Sequence, residues 1–151
     1  VTLECGQAGE LEGIEACVNY LERVLESDNI QQLNDGTSTK LYEVQAKIQV
    51  EHDLDIFIGN KVAGDCLCLP KELENWNFQS LSAGTVFAYS GINKLPFVVK
   101  DALGEDCLED YFSITNGEIL LKKNCIPSML TLSPNIIKQD CLGYLMQEIN
   151  L

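Results

Sequence analysis

The chain has 151 residues, 46% of them hydrophobic and 22% charged, which is enough apolar material for one ordinary domain core and too much for a disordered segment. Its apolar runs, such as Ile56-Phe57-Ile58 and Ile119-Leu120-Leu121, fall far short of the roughly 20 residues a membrane-spanning helix needs. A formal net charge of −13 repels a phosphate backbone, so neither a membrane span nor a nucleic-acid partner is expected.

Leu11, Ile14, Val18, Leu21 and Leu25 recur at helical spacing, with Glu10, Glu12, Glu15 and Glu22 on other faces, and predict an amphipathic helix. Val18, Tyr20 and Val24 also fit a strand, which leaves open a helix that stops near Cys17 and hands over to a strand through Glu26. Residues 27–39 are polar and carry the breaker Asn34-Asp35-Gly36.

From Tyr42 the period changes. Tyr42, Val44, Ala46, Ile48 and Val50 alternate with polar residues and predict a strand with five apolar side chains on one face. After a corner at Glu51-His52-Asp53 a second strand runs through Leu54, Ile56 and Ile58 to Gly59-Asn60. Residues 61–82 read as a long connection holding Cys66-Leu67-Cys68, Pro70 and Trp76. Thr85–Ser90 and Phe97–Lys100 are short strand candidates.

The segment FSITNGEILL spells a hairpin: Asn116-Gly117 suits a type I′ turn, which sets Ile114 opposite Ile119 and Phe112 opposite Leu121. Both pairs are apolar, so the register is self-consistent. Near the end, Ser133 as N-cap and Pro134 at the first helical position open a helix predicted to carry Ile137, Cys141, Leu145 and Ile149 on one stripe. No repeat or linker marks a second domain.

Seven cysteines, Cys5, Cys17, Cys66, Cys68, Cys107, Cys125 and Cys141, are spread over the whole chain. That density reads as an extracellular disulfide framework. A start at Val1, with neither methionine nor an apolar leader, reads as a mature secreted protein. Because the number is odd, one thiol is left free, buried or available to join two chains.

The pattern holds little for catalysis. His52 is the one histidine and sits in an acidic corner, where an exposed surface role is expected. No nucleophile elbow, metalloprotease motif, phosphate loop or dinucleotide fingerprint occurs, so no enzymatic activity and no cofactor are expected. Cys66-x-Cys68 is too closely spaced for a zinc knuckle. Asp101, Glu105, Asp106, Glu109 and Asp110 lack the order of a calcium loop. No metal is expected. The candidate contact residues for a protein partner are Trp76 and Phe78 in the long connection, with Asn93 and Lys94 in the loop 91–96. Loop aromatics serve either as interface anchors or as a lid on the domain's own core.

The order of elements and the cysteines resemble the netrin-like module, the OB-type barrel of tissue inhibitors of metalloproteinases, netrins, the agrin amino-terminal domain and the complement C-terminal module. The resemblance runs from about Glu15 to Cys141. It rests on EACVNYLERVLE, KLYEVQAKIQV, DIFIGN followed by GDCLC, LSAGTVFAYSG, and Cys125 leading into IPSMLTLSPNIIKQDC. It implies a single domain over 1–151, mainly β with flanking helices. The implied architecture is a five- or six-stranded antiparallel OB-type barrel between an N-terminal and a C-terminal helix, stapled by disulfides. It further implies a Cys17–Cys141 bridge, worth on the order of 4–5 kcal/mol in the loop-entropy model, with Cys5 joining Cys66, Cys68 or Cys125.

The chain departs from the pattern at its start. Metalloproteinase inhibitors of that kind chelate zinc through an N-terminal Cys-x-Cys, whereas here four residues precede Cys5 and no second cysteine follows at that spacing. The expected function is a secreted, non-enzymatic module that binds an extracellular protein through its loops. Metalloprotease inhibition and carriage of a small apolar ligand are the alternatives.

Overall fold

Helical spacing wins over alternation at the start of the chain. In the computed structural model, which describes residues 11–26, 40–59, 64–91 and 94–149, α1 runs unbroken over Leu11–Glu26, so no handover to a strand follows Cys17. A strand would have split Leu21 and Leu25 from Val18, Tyr20 and Val24 across its two faces. The helix keeps Leu11, Ile14, Val18, Leu21 and Leu25 on one stripe. Glu12 in its first turn and Arg23 in its last also suit the helix dipole. The chain divides into two compact units, Val1–Thr39 and Lys40–Leu151, and α1 belongs to the first.

The second unit is mainly β. Its described strands are β1 Leu41–Val50, β2 Asp55–Ile58, β3 Cys66–Leu69, β4 Val86–Ser90, β5 Phe97–Lys100, β6 Phe112–Thr115, β7 Glu118–Leu121, β8 Ile126–Ser128 and β9 Gly143–Ile149. Short helices α2 (Leu108–Tyr111) and α3 (Pro134–Gln139) and a 3-10 turn (Leu73–Trp76) join them. One sheet has the order β5-β1-β9-β8 and the other β2-β3-β4-β7-β6.

The closed five- or six-stranded barrel therefore does not form. The corner after β1, closed by the Leu54 amide on the Glu51 carbonyl at 3.2 Å, sends β2 into the other sheet. There β2 runs parallel to β3 instead of continuing an antiparallel meander. Among the described residues four strand edges remain where a barrel would have none.

Both sheets feed one core. Ala46, Ile48, Val50, Phe97, Val99 and Leu145 from the first cluster with Leu67, Leu69, Phe87, Phe112, Ile119 and Leu121 from the second. Its centre is aromatic: the Phe87, Phe97 and Phe112 rings lie 5.2 to 6.2 Å apart, centroid to centroid, tilted or edge-on as ring quadrupoles prefer. The β6–β7 hairpin has the expected register, Phe112 opposite Leu121 and Ile114 opposite Ile119, with Asn116 at φ 52° and Gly117 at φ 79°. In β1, Ala46, Ile48 and Val50 are buried as expected, but the pairing with β9 shifts between Val44 and Ala46, and Val44 is exposed. A bulge of this kind breaks the alternation.

Two further expectations are corrected. The terminal helix stops at Gln139, and residues 143–149 form β9 beside β1. Gly143, the first residue of β9, lies so close to the β8 segment that an added Cβ would come within 2.7 Å of the Leu130 side chain and 2.9 Å of the Ser128 carbonyl. Among the described residues no disulfide stapling is present either: Cys17, Cys66, Cys68, Cys107, Cys125 and Cys141 are all free. Cys66 and Cys68, close as they are, have their sulfurs 3.8 Å apart against the 2.03–2.05 Å of a bond. Cys66, Cys68, Cys125 and Cys141 are buried and pack as small apolar residues, the role cysteine often takes in a core. Cys5 lies outside the described residues.

Candidate functional site

The stretch read as one long connection contains β3, whose four residues are all buried, and the 3-10 turn that ends at Trp76. The two candidate aromatics separate here. Trp76 is half-buried, packs against the core and lies 6.0 Å from the Phe87 ring, so it is a lid. Phe78 stands 52% exposed at φ 61°, with its ring 6.1 Å from that of Tyr42.

What holds Phe78 out is a clasp between residues 74–81 and 125–132. The Phe78 amide donates to the Pro127 carbonyl at 2.7 Å, and Leu81 and Cys125 exchange amide-to-carbonyl bonds of 2.9 and 3.0 Å. Between these, the Asn77 carboxamide donates to the Leu130 carbonyl at 3.0 Å and accepts from the Leu130 amide at 2.8 Å. The Glu74 carboxylate accepts from the Leu132 amide at 2.8 Å.

On the facing segment, Met129 also adopts a left-handed conformation, φ 56°, and is 56% exposed. A non-glycine residue there costs roughly 1–2 kcal/mol. Two such residues, one aromatic and one thioether, are thus turned to solvent by fixed backbone. Nothing in the hydrophobic period marks Met129; the only cue is a lone methionine in a loop rich in proline and serine.

A cleft of about 300 Å³ lies on the same unit, lined among others by Gln45, Tyr111, Lys123, Cys125, Met146 and Glu148. The Lys123 ammonium stands 3.6 Å from the centre of the Tyr111 ring, a cation–π contact. Burial pushes the Cys125 thiol up to about 11, against the smaller opposing effect of Lys123. Burial, with the neighbouring Cys107 and Cys125 sulfurs, pushes Tyr111 up to about 12. Both stay protonated at neutral pH, which is the reverse of an activated nucleophile.

The other candidates fall elsewhere. Lys94 lies in a second cleft of about 190 Å³ with Glu51, Asp53, Leu54, Asp65 and Pro96, its ammonium 4.0 Å from Glu51; it is not brought together with Phe78. Asn93 lies outside the described residues. His52 is exposed in its turn.

The acidic run has local work: Asp101 accepts from the Leu103 and Glu105 amides and Asp106 from the Leu108 amide, each at 2.9 Å. Among the described residues no three histidine, cysteine or acidic side chains converge as a metal set, and no helix is long and apolar enough to cross a membrane.

Compared with family models, curated proteins and solved structures, the chain matches none.

Proposed function

We propose that the unit from Lys40 onward is a non-enzymatic module that binds another protein through the surface around Phe78 and Met129. One observation carries the reading: two large exposed apolar residues are kept in left-handed backbone by a clasp of side-chain and main-chain hydrogen bonds. Strain of this kind persists only where surrounding structure over-determines it, and it clusters at sites of function. Phenylalanine and methionine are also side chains over-used at protein interfaces. The filled aromatic centre between the sheets supports this reading over carriage of an apolar ligand.

The extracellular setting and a distant netrin-like relationship belong to the same proposal. They are supported by the order of helix, long β1 and later strands. The site of recovery of the natively produced protein tests the setting: a chain found only inside the cell overturns it. Phe78→Ser combined with Met129→Ser tests the surface. The account expects an unchanged melting temperature with loss of the partner that the natural chain captures from its extracellular milieu; undiminished capture overturns it.

A further inference from the structure

A second contact surface is written into the edge of the other sheet. β2 is an outer strand, paired on one side only, with β3. The Gly59 amide donates to the Leu69 carbonyl at 2.8 Å, and Ile58 sits opposite Leu69. In a parallel ladder this turns the backbone groups of Phe57 and Gly59 toward β3 and those of Ile56 and Ile58 outward. Among the described residues no strand takes up those outward groups.

Two other edges of the domain are guarded. The outer side of β8 carries Pro127 and receives the Phe78 amide, and the outer side of β5 is bonded by the Cys107 amide on Val99. β2 has no proline, no lysine and no bulge, the usual defences of a sheet edge. Instead it presents Phe57 and Ile58, each 46% exposed.

Charge names the occupant. Because β2 and β3 are parallel, Asp55 pairs with Cys66, so Asp55 and Asp65 mark the same end of the strand pair. Glu51, Asp53 and Asp65 line the small cleft with Lys94 the one cation among its described lining residues, and Lys94 is already turned to Glu51.

We propose that β2 receives an extended segment of a partner protein as an added strand. The segment alternates apolar residues along Ile56–Ile58 and sets a lysine or arginine against Asp53, Asp55 and Asp65. Main-chain bonds supply affinity in such strand addition, and the side-chain pockets supply selectivity. A second copy of this chain fits less well, because both copies carry a net charge of −13 and β2 offers no lysine or arginine to the acids.

The test uses the full chain and a fluorescein-labelled Lys-Arg-Val-Thr-Val-Thr peptide, followed by anisotropy and by amide hydrogen exchange at Ile56 and Ile58. Saturable binding is expected, with both amides fast-exchanging in the free chain and protected in the complex. Methylating alternate peptide nitrogens, which leaves the protein untouched, weakens binding about tenfold or more, the effect of losing one or two hydrogen bonds. Ile58→Pro, which removes an outward donor and no bond to β3, does the same. Asp53→Asn with Asp65→Asn weakens binding and flattens its salt dependence.

Equal binding of the methylated and unmethylated peptides, or no binding of either, overturns the proposal. So does protection of the two amides in the free dilute chain, which would mean that the chain covers its own edge, or protection that grows with protein concentration, which would mean a second copy.

Discussion

Asn77 and Leu130 are bonded as two strand residues would be, except that one partner is a side chain: the carboxamide of Asn77 both donates to and accepts from the backbone of Leu130, at 3.0 and 2.8 Å. The pairing continues where β8 ends and fixes the geometry of Phe78 on one side and Met129 on the other. Asn77→Ala leaves two part-buried backbone groups without partners, which costs about 1–3 kcal/mol. Urea unfolding is expected to show that loss, together with faster amide exchange at Phe78 and Leu130. A stability change below about 0.5 kcal/mol would mean that the clasp does not depend on this side chain.

Met129 tests the strain directly. Glycine occupies left-handed backbone without the Cβ penalty, so Met129→Gly is expected to leave stability unchanged or raise it by up to about 1 kcal/mol, measured by thermal or urea unfolding. A loss larger than about 1 kcal/mol would show that the side chain serves the fold rather than the surface.

Gly143 supports the same segment from below. A methyl group there would press on the Leu130 side chain and the Ser128 carbonyl. Gly143→Ala is expected to cost about 1–3 kcal/mol, as overpacking does, and to raise amide exchange at Leu130. Tolerance of the alanine would place β9 further from β8 than described.

Several of these elements are readable from residues alone. The Asn116-Gly117 hairpin is, because the turn chemistry and the two apolar cross-strand pairs demand the same register. β1 is readable too, up to the bulge at Val44, which no side-chain pattern announces. β3 is not: Cys66-Leu67-Cys68-Leu69 is apolar on both faces, so it shows no alternation, and its cysteines suggest sulfur chemistry where they act as core. The final strand hides behind Ile137, Cys141, Leu145 and Ile149, whose spacing of four imitates a helix across the break at Gly143. Of the candidate site, Phe78 is legible as a loop aromatic. Met129 is not, because what exposes it is backbone geometry set by residues some fifty positions away.

Alkali probes the buried cluster. The unfolded chain ionises Cys125 and Tyr111 near their ordinary values of 9.0 and 10.0, whereas the folded chain holds them to about 11 and about 12, chiefly through burial. The unfolded state therefore releases these protons first. Stability is complete below pH 9 and falls as the pH rises through 9 to 12. Urea midpoints of the reduced protein across that range are expected to decline, and Cys125→Ser with Tyr111→Phe should flatten the decline. A midpoint independent of pH would place these groups in water.

The central claim, that Phe78 is an anchor for a partner protein, is tested most directly by photocrosslinking. p-Benzoylphenylalanine is placed at Phe78 and, as a control, at Leu103, which is 86% exposed; each chain is irradiated in the extracellular fluid that the proposal assigns to it. The account predicts one discrete adduct from position 78, absent from position 103. No adduct at 78, or the same products from both positions, would contradict it.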